Sequence, residues 1–284
     1  MAGLAMILLG NGFDIALGAK TKYSDFAKSE QFQSLLSDNE LAKYIWKKFE
    51  MQDMKWVDVE LELANYSQYL SAKYGDSVPE EVTKQFKVDY EVLNKQLSSY
   101  ISRCFYFNGD GKIDSVIHDW YSLIISEDLD VRIYTLNYLP GEYRSFDFLN
   151  YTDDKTHLPN HIHGQVSFNP NDEPKIVFGV DEACNLSCKE HGFLYKSRNE
   201  NLALNGFNEI AEDAGIFIIY GSSLGITDRW YFQKIFKGKK DCRFKIYYYT
   251  DNELPRMKEA ISEIVGDYRE FLSHNDVDFI KISN

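Results

Sequence analysis

Proline is scarce in this 284-residue chain, six in all, and no stretch is of low complexity, which excludes long disordered linkers. Cysteine is scarcer still: Cys104, Cys184, Cys188 and Cys242 are scattered without a framework spacing, so free thiols are expected rather than disulfides. Positive charge is in deficit, with 31 Lys and Arg against 44 Asp and Glu and a formal net charge of −13. A surface of that sign repels a phosphate backbone and excludes general nucleic-acid binding. It does not exclude a small anionic ligand, because a few aimed N–H groups in one pocket suffice. No apolar run reaches the roughly 18 residues that cross a bilayer, and the opening residues have no basic leader, so neither a membrane span nor a signal peptide is expected. The expected compartment is the cytoplasm.

What is present suits a full-sized core: 44% of residues are hydrophobic and 15% aromatic. The run from Leu4 to Leu9 reads as a buried strand stopped by Gly10. From about Tyr23 to Ile125 the period becomes helical, as in the stripe Val82, Phe86, Leu93, Leu97 and Ile101. The segment 57–63 alternates like a strand, yet Val59, Leu63, Tyr66 and Leu70 continue at helical spacing, and we assign a helix. Strands follow at 131–138, 160–163, 175–178, 215–220, 244–250 and 277–282, with helices at 201–213, 229–236 and 253–271. Buried strands separated by helices predict an α/β fold, a doubly wound and mainly parallel Rossmann-like sheet, built from 1–20 and 126–284. Residues 21–125 are expected to form a helical insertion or cap.

Four constellations could carry chemistry. Gly10-Asn11-Gly12-Phe13-Asp14 follows the first strand, where glycines let the backbone approach a phosphate at a helix start; the same residues also suit a tight strand-to-helix turn. Asn137, ending the strand in Tyr134-Thr135-Leu136-Asn137-Tyr138, could orient a sugar hydroxyl or a water, or simply close an Asx turn. In His161-Ile162-His163-Gly164 both histidines share a face if the segment is extended; such a pair could supply a base, suit a metal for which no obvious carboxylate or third histidine completes the set, or fill a core or turn position. Gly221-Ser222-Ser223-Leu224-Gly225 could receive a ribose or phosphate; it also matches the nucleophile elbow of a serine hydrolase, with only His274 left downstream. Cys184, Cys188 and His191 could make half of a zinc site, although a fourth ligand is missing and no metal is assigned.

In this order the four segments resemble the bacterial abortive-infection family AbiH, and Trp56-Val57-Asp58-Val59-Glu60 and Lys196 are similar to further positions of that family. AbiH in turn resembles the sirtuins, which wrap a glycine loop, Thr-Gln-Asn, His-Gly and Gly-Thr-Ser-Leu around one NAD. The resemblance implies a sirtuin-like sheet and a phage-defence effector that hydrolyses NAD to nicotinamide and ADP-ribose. It implies Asn137 and His163 as catalytic residues, and Gly10, Asn11, Gly12, Phe13, Asp14, Gly221, Ser222, Ser223, Leu224 and Asn252 as contacts to an NAD-like dinucleotide. NAD is then substrate or ligand and no other cofactor is required; a phage trigger or self-assembly would release activity. The alternative is a non-catalytic nucleotide-sensing module that signals through its cap. Leu139 stands where sirtuins carry Asp, and the two Cys-x-x-Cys pairs of their zinc module are absent, so protein deacylation is not implied.

Overall fold

The computed structural model describes residues 3–52, 57–75, 77–104, 112–139, 159–167, 172–173 and 175–282. They divide into two compact units, the first comprising Met1–Ala19, Phe105–Ile162 and Ala203–Asn284, the second Lys20–Cys104 and His163–Leu202.

The first unit is built on six parallel strands: β1 (Gly3–Leu9), β2 (Leu129–Thr135), β3 (Asn160–His161), β4 (Ile216–Tyr220), β5 (Arg243–Tyr248) and β6 (Asp276–Lys281), in the order β3-β2-β1-β4-β5-β6. That order is the doubly wound Rossmann-like arrangement expected from the alternation of strands and helices. The central strands are apolar throughout because both of their faces are covered. On one face Ala5, Ile7, Leu9, Ile133, Ile218 and Tyr220 meet Ile113, Ile117, Trp120 and Ile124 of α7 (Lys112–Ser126), together with Phe13 of the short α1 (Asn11–Ala16). On the other, Phe217 stacks on Phe244, which meets Phe236 of α9 (Arg229–Phe236) and Phe271 of α11 (Tyr268–His274), while Tyr134 meets Phe207 of α8 (Phe207–Asp213).

The expected helix over 253–271 is two helices, α10 (Glu253–Val265) and α11. Gly266, at a φ of 81°, ends α10, and the Asp267 carboxylate then accepts the N–H groups of Arg269 and Glu270 to start α11. The expected helix over 201–213 begins only at Phe207, and the run 175–178 contributes an isolated bridge, Ile176 to Gly164, instead of a strand.

In the second unit, α2 (Tyr23–Ala27) and α3 (Glu30–Gln33) precede three longer helices, α4 (Glu40–Met51), α5 (Val59–Tyr74) and α6 (Glu80–Ile101). The ambiguous segment is helical: Asp58 caps α5 by accepting the Leu61 N–H. Of the predicted stripe on α6, Phe86, Leu93, Leu97 and Ile101 are buried. The division differs from the expected cap of 21–125 at two places. α7 belongs to the first unit because its apolar face, at intervals of four, three and four residues, lies on the sheet. Residues 163–202 belong to the second because α5 and α6 bury polar groups that need partners, and this segment supplies them. Lys196 pairs with Glu60 at 3.0 Å, the Gly179 N–H donates to the other Glu60 oxygen, the Tyr90 hydroxyl donates to the Phe178 carbonyl, and Ser67 Oγ lies 2.8 Å from His191 Nδ1. Trp56 lies outside the described residues.

Trp120 is fully buried against Phe13, Tyr220 and Tyr247. Truncation in Trp120→Ala is expected to cost about 3–5 kcal/mol, read as a lowered midpoint in urea with an unchanged m-value.

Candidate functional site

In an all-parallel sheet of this order, the connections leave in opposite directions on either side of β1 and β4, and a crevice opens beyond their carboxyl ends. Here two turns meet. The Gly10 N–H donates to the Tyr220 carbonyl and the Gly12 N–H to the Gly221 carbonyl, both at 2.8 Å, and the Phe13 N–H returns to the Gly10 carbonyl. No side chain fits between them: a Cβ on Gly10 would stand 2.6 Å from the Gly221 carbonyl oxygen, one on Gly12 2.6 Å from Gly221 Cα, and one on Gly221 2.4 Å from the Phe13 nitrogen. Gly221 also has a φ of 71°. The glycines are thus accounted for by turn-on-turn packing, and the amides of Gly10, Gly12 and Phe13, expected to face a phosphate, are engaged inside the protein.

Three of the expected contact side chains, Phe13, Asp14 and Leu224, are interior. Phe13 is fully buried, 6.5 Å from Trp120 and edge-on to Tyr220, and Leu224 is buried at a φ of 56°. Asn11 and Ser223 are exposed and Ser222 half-buried, its hydroxyl accepting the Leu224 N–H; Asn252 is exposed at the start of α10. Tyr249, just past β5, braces the first turn by donating its hydroxyl proton to the Gly12 carbonyl at 2.9 Å, so the Tyr220 hydroxyl must donate to Tyr249. Neither tyrosine stood out in the sequence, where both read as ends of apolar strands.

Asn137 is buried two residues beyond β2. Its Nδ2 donates to the Gly10 carbonyl at 3.1 Å and to Asp14 Oδ1 at 3.2 Å, so one amide group ties the first turn to the buried carboxylate of Asp14. Its backbone N–H donates to Thr135 Oγ1. With both Nδ2 protons committed, a contact from Asn137 to a water or sugar hydroxyl would run through Oδ1.

The His-x-His segment is not extended: β3 stops at His161, and Ile162 and His163 form a turn. His161 belongs to the first unit, its Nδ1 3.0 Å from the Asn137 carbonyl oxygen. A carbonyl only accepts, so Nδ1 carries the proton and the neutral ring has its lone pair on Nε2. Burial holds this imidazole below its ordinary pKa, partly offset by the bond to Asn137. His163 belongs to the second unit and is buried, its carbonyl accepting the Val177 N–H at 2.7 Å. The first unit therefore brings together Gly10, Gly12, Asp14, Asn137, Gly221 and a histidine, but that histidine is His161.

The remaining chemistry does not assemble. Ser223 follows the carboxyl end of β4, whereas His274 precedes β6 at the opposite end of the parallel sheet, with Nδ1 on the Glu270 carbonyl, so the hydrolase elbow lacks its base. Cys188 faces Glu190, His191 faces Ser67, and burial pushes the Cys184 thiol up to about 12; no group of three His, Cys, Asp or Glu among the described residues could hold a metal ion. Among the described residues no helix is long and apolar enough to cross a membrane.

A family model described as bacteriophage abortive infection AbiH matches residues 6–249, a span that takes in both turns, Asn137 and both histidines. No curated protein matches the chain.

Gly221→Ala combines a left-handed φ, about 1–2 kcal/mol for an L-residue, with a backbone clash, and is expected to lower the thermal midpoint well below that of Ser223→Ala, which should match wild type. His161 and His191 are both held below the ordinary imidazole value by burial. The unfolded chain then binds more protons than the folded one below about pH 6.5, so stability is full above that pH and falls as pH drops through it. Urea midpoints measured from pH 7.5 to 5 should decline, and the slope should be shallower in His191→Gln.

Proposed function

This chain belongs to the bacteriophage abortive-infection family AbiH and so acts in phage abortive infection; from that premise we propose that it binds an NAD-like dinucleotide and hydrolyses it to nicotinamide and ADP-ribose. The observation that carries the reading is Asn137, buried at the carboxyl edge of a Rossmann-like sheet and clamped to Gly10 and Asp14 beside the point where the strand order reverses. Open sheets of this kind bind ligands at that edge.

The chemistry asks little of a side-chain acid. When the N-glycosidic bond breaks, its electron pair goes to the pyridinium nitrogen and nicotinamide leaves neutral; water adds to C1′ of the oxocarbenium-like ribose and releases one proton. The protein's task is to place the ribose and the water and to take up that proton. In this reading Asn137 accepts, through Oδ1, a hydrogen bond from the water or a ribose hydroxyl, and His163 takes the proton, as the family resemblance implies. Since the amides of Gly10, Gly12 and Phe13 are engaged, this reading assigns the phosphates to Asn11, Ser222 and Ser223, with Asn252 toward the adenosine. A phage trigger or self-assembly releases an otherwise silent effector.

One observation favours a second reading, a sensing module that binds nucleotide without cleaving it. Both Nδ2 protons of Asn137 serve the fold, so its conformation is explained without a reaction. Incubation with NAD, followed by chromatography of nicotinamide, separates the two. The expected result is nicotinamide release that falls about 10²-fold or more in Asn137→Ala and His163→Ala while calorimetric NAD binding persists. Binding without release, in cells challenged with phage as well as in purified protein, would establish the sensing module instead.

A further inference from the structure

Asn137 lies past the last residue of β2, so neither of its backbone polar groups is served by the sheet ladder. A buried carbonyl left without a donor is costly, and outside a ladder its donor has to come from elsewhere. Two side chains do this work. Thr135 Oγ1 accepts the Asn137 N–H at 3.1 Å, and His161 Nδ1 donates to the Asn137 carbonyl at 3.0 Å. The pairing is set by register: Thr135 is opposite His161 in the β2–β3 ladder, so the histidine stands one strand over and two residues back from the carbonyl it reaches. With the backbone fixed on both sides and the amide fixed by Gly10 and Asp14, the direction in which Asn137 presents Oδ1 is determined.

We propose that His161 is a positioning residue that orients Asn137 toward the substrate through its Nδ1–H, and that its Nε2 plays no part as a base. The proposal rests on Asn137 being a substrate contact in the function proposed above. His161 is buried, which lowers the pKa of its imidazole, and the Nδ1 proton is present whether the ring is neutral or charged, so the hydrogen bond persists across the working pH range. A side chain with a donor at the same branch position should therefore replace it.

Asparagine offers that donor, since its Nδ2 stands at the same distance from Cα as the histidine Nδ1; glutamine places its donor one atom further out, and leucine has none. The expected outcome for NAD hydrolysis is that His161→Asn stays within about 3-fold of wild type. His161→Gln and His161→Leu should lose about 10–100-fold in kcat with KM changed by less than about 3-fold, as a misplaced but intact binding surface requires. The pH profile of His161→Asn should keep the acid limb of wild type. Loss of activity in His161→Asn equal to that in His161→Leu, with disappearance of the limb, would make His161 a base and overturn the proposal.

A second measurement does not depend on turnover. In wild type and His161→Asn the Asn137 side-chain amide protons should be protected from hydrogen exchange, and in His161→Gln and His161→Leu they should exchange at least 10-fold faster, as read by NMR. Equal protection in all four proteins overturns the positioning role whatever the activities. Protection in the expected pattern without nicotinamide release from wild type removes the hydrolase reading and leaves His161 as the residue that holds Asn137.

Discussion

Backbone can touch backbone only where no Cβ intervenes, and the first unit depends on such a contact. β1 and β4 are neighbours, and the turns that leave them, at Gly10–Gly12 and at Gly221, meet with amides on carbonyls and no atoms between. From this contact the rest of the edge is built. Phe13 is carried into the core beneath the turn, Asp14 is brought to the position where Asn137 can reach it, and Tyr249 closes over the Gly12 carbonyl from the neighbouring strand end. The same glycines that invite comparison with a phosphate loop are required here by the protein's own backbone, and the amides of Gly10, Gly12 and Phe13 are spent inside it.

The second unit is held by a different constraint. α5 carries Glu60, Glu62 and Ser67 into its interior, and a buried carboxylate without partners would be untenable. Lys196 and the Gly179 amide answer Glu60, and His191 answers Ser67; all three come from a segment of short 3₁₀ turns more than one hundred residues further along the chain. Breaking such a pair from one side leaves a charge stranded, so Glu60 and Lys196 tie residues 163–202 to the helices more firmly than their single contact suggests. Two positions where the chain resembles its family, Glu60 and Lys196, thereby find a common structural role, while Asp58 caps the helix on which Glu60 stands.

Much of the fold was legible because its signals are local. Continuous apolar runs marked β1 and β4, and helical spacing marked α6 and α9. The stop at Gly266 was missed because one glycine within an otherwise periodic stretch does not reveal that its φ is positive or that Asp267 caps a second helix. At the ends of the expected cap the two compact units group the residues differently. An amphipathic helix such as α7 shows that it has an apolar face, and nothing in its period says which partner covers that face. The irregular segment 163–202 has no period at all, so its allegiance is written only in the buried groups it satisfies.

For the site, the sequence by itself determined which residue types stand at the strand ends: glycines after β1 and β4, an asparagine after β2 and a histidine pair at β3. Those come from chain order and from the rule that short runs of this composition end where a parallel sheet exposes its working edge. Only the tertiary structure decided which atoms are spent on the fold and which histidine meets Asn137. His161 and His163 are equivalent while the chain is assumed extended. They part because β3 ends after two residues and the chain turns, leaving His161 in register with Thr135 and within reach of the Asn137 carbonyl. Period and composition cannot carry that distinction, since it depends on where a neighbouring strand ends.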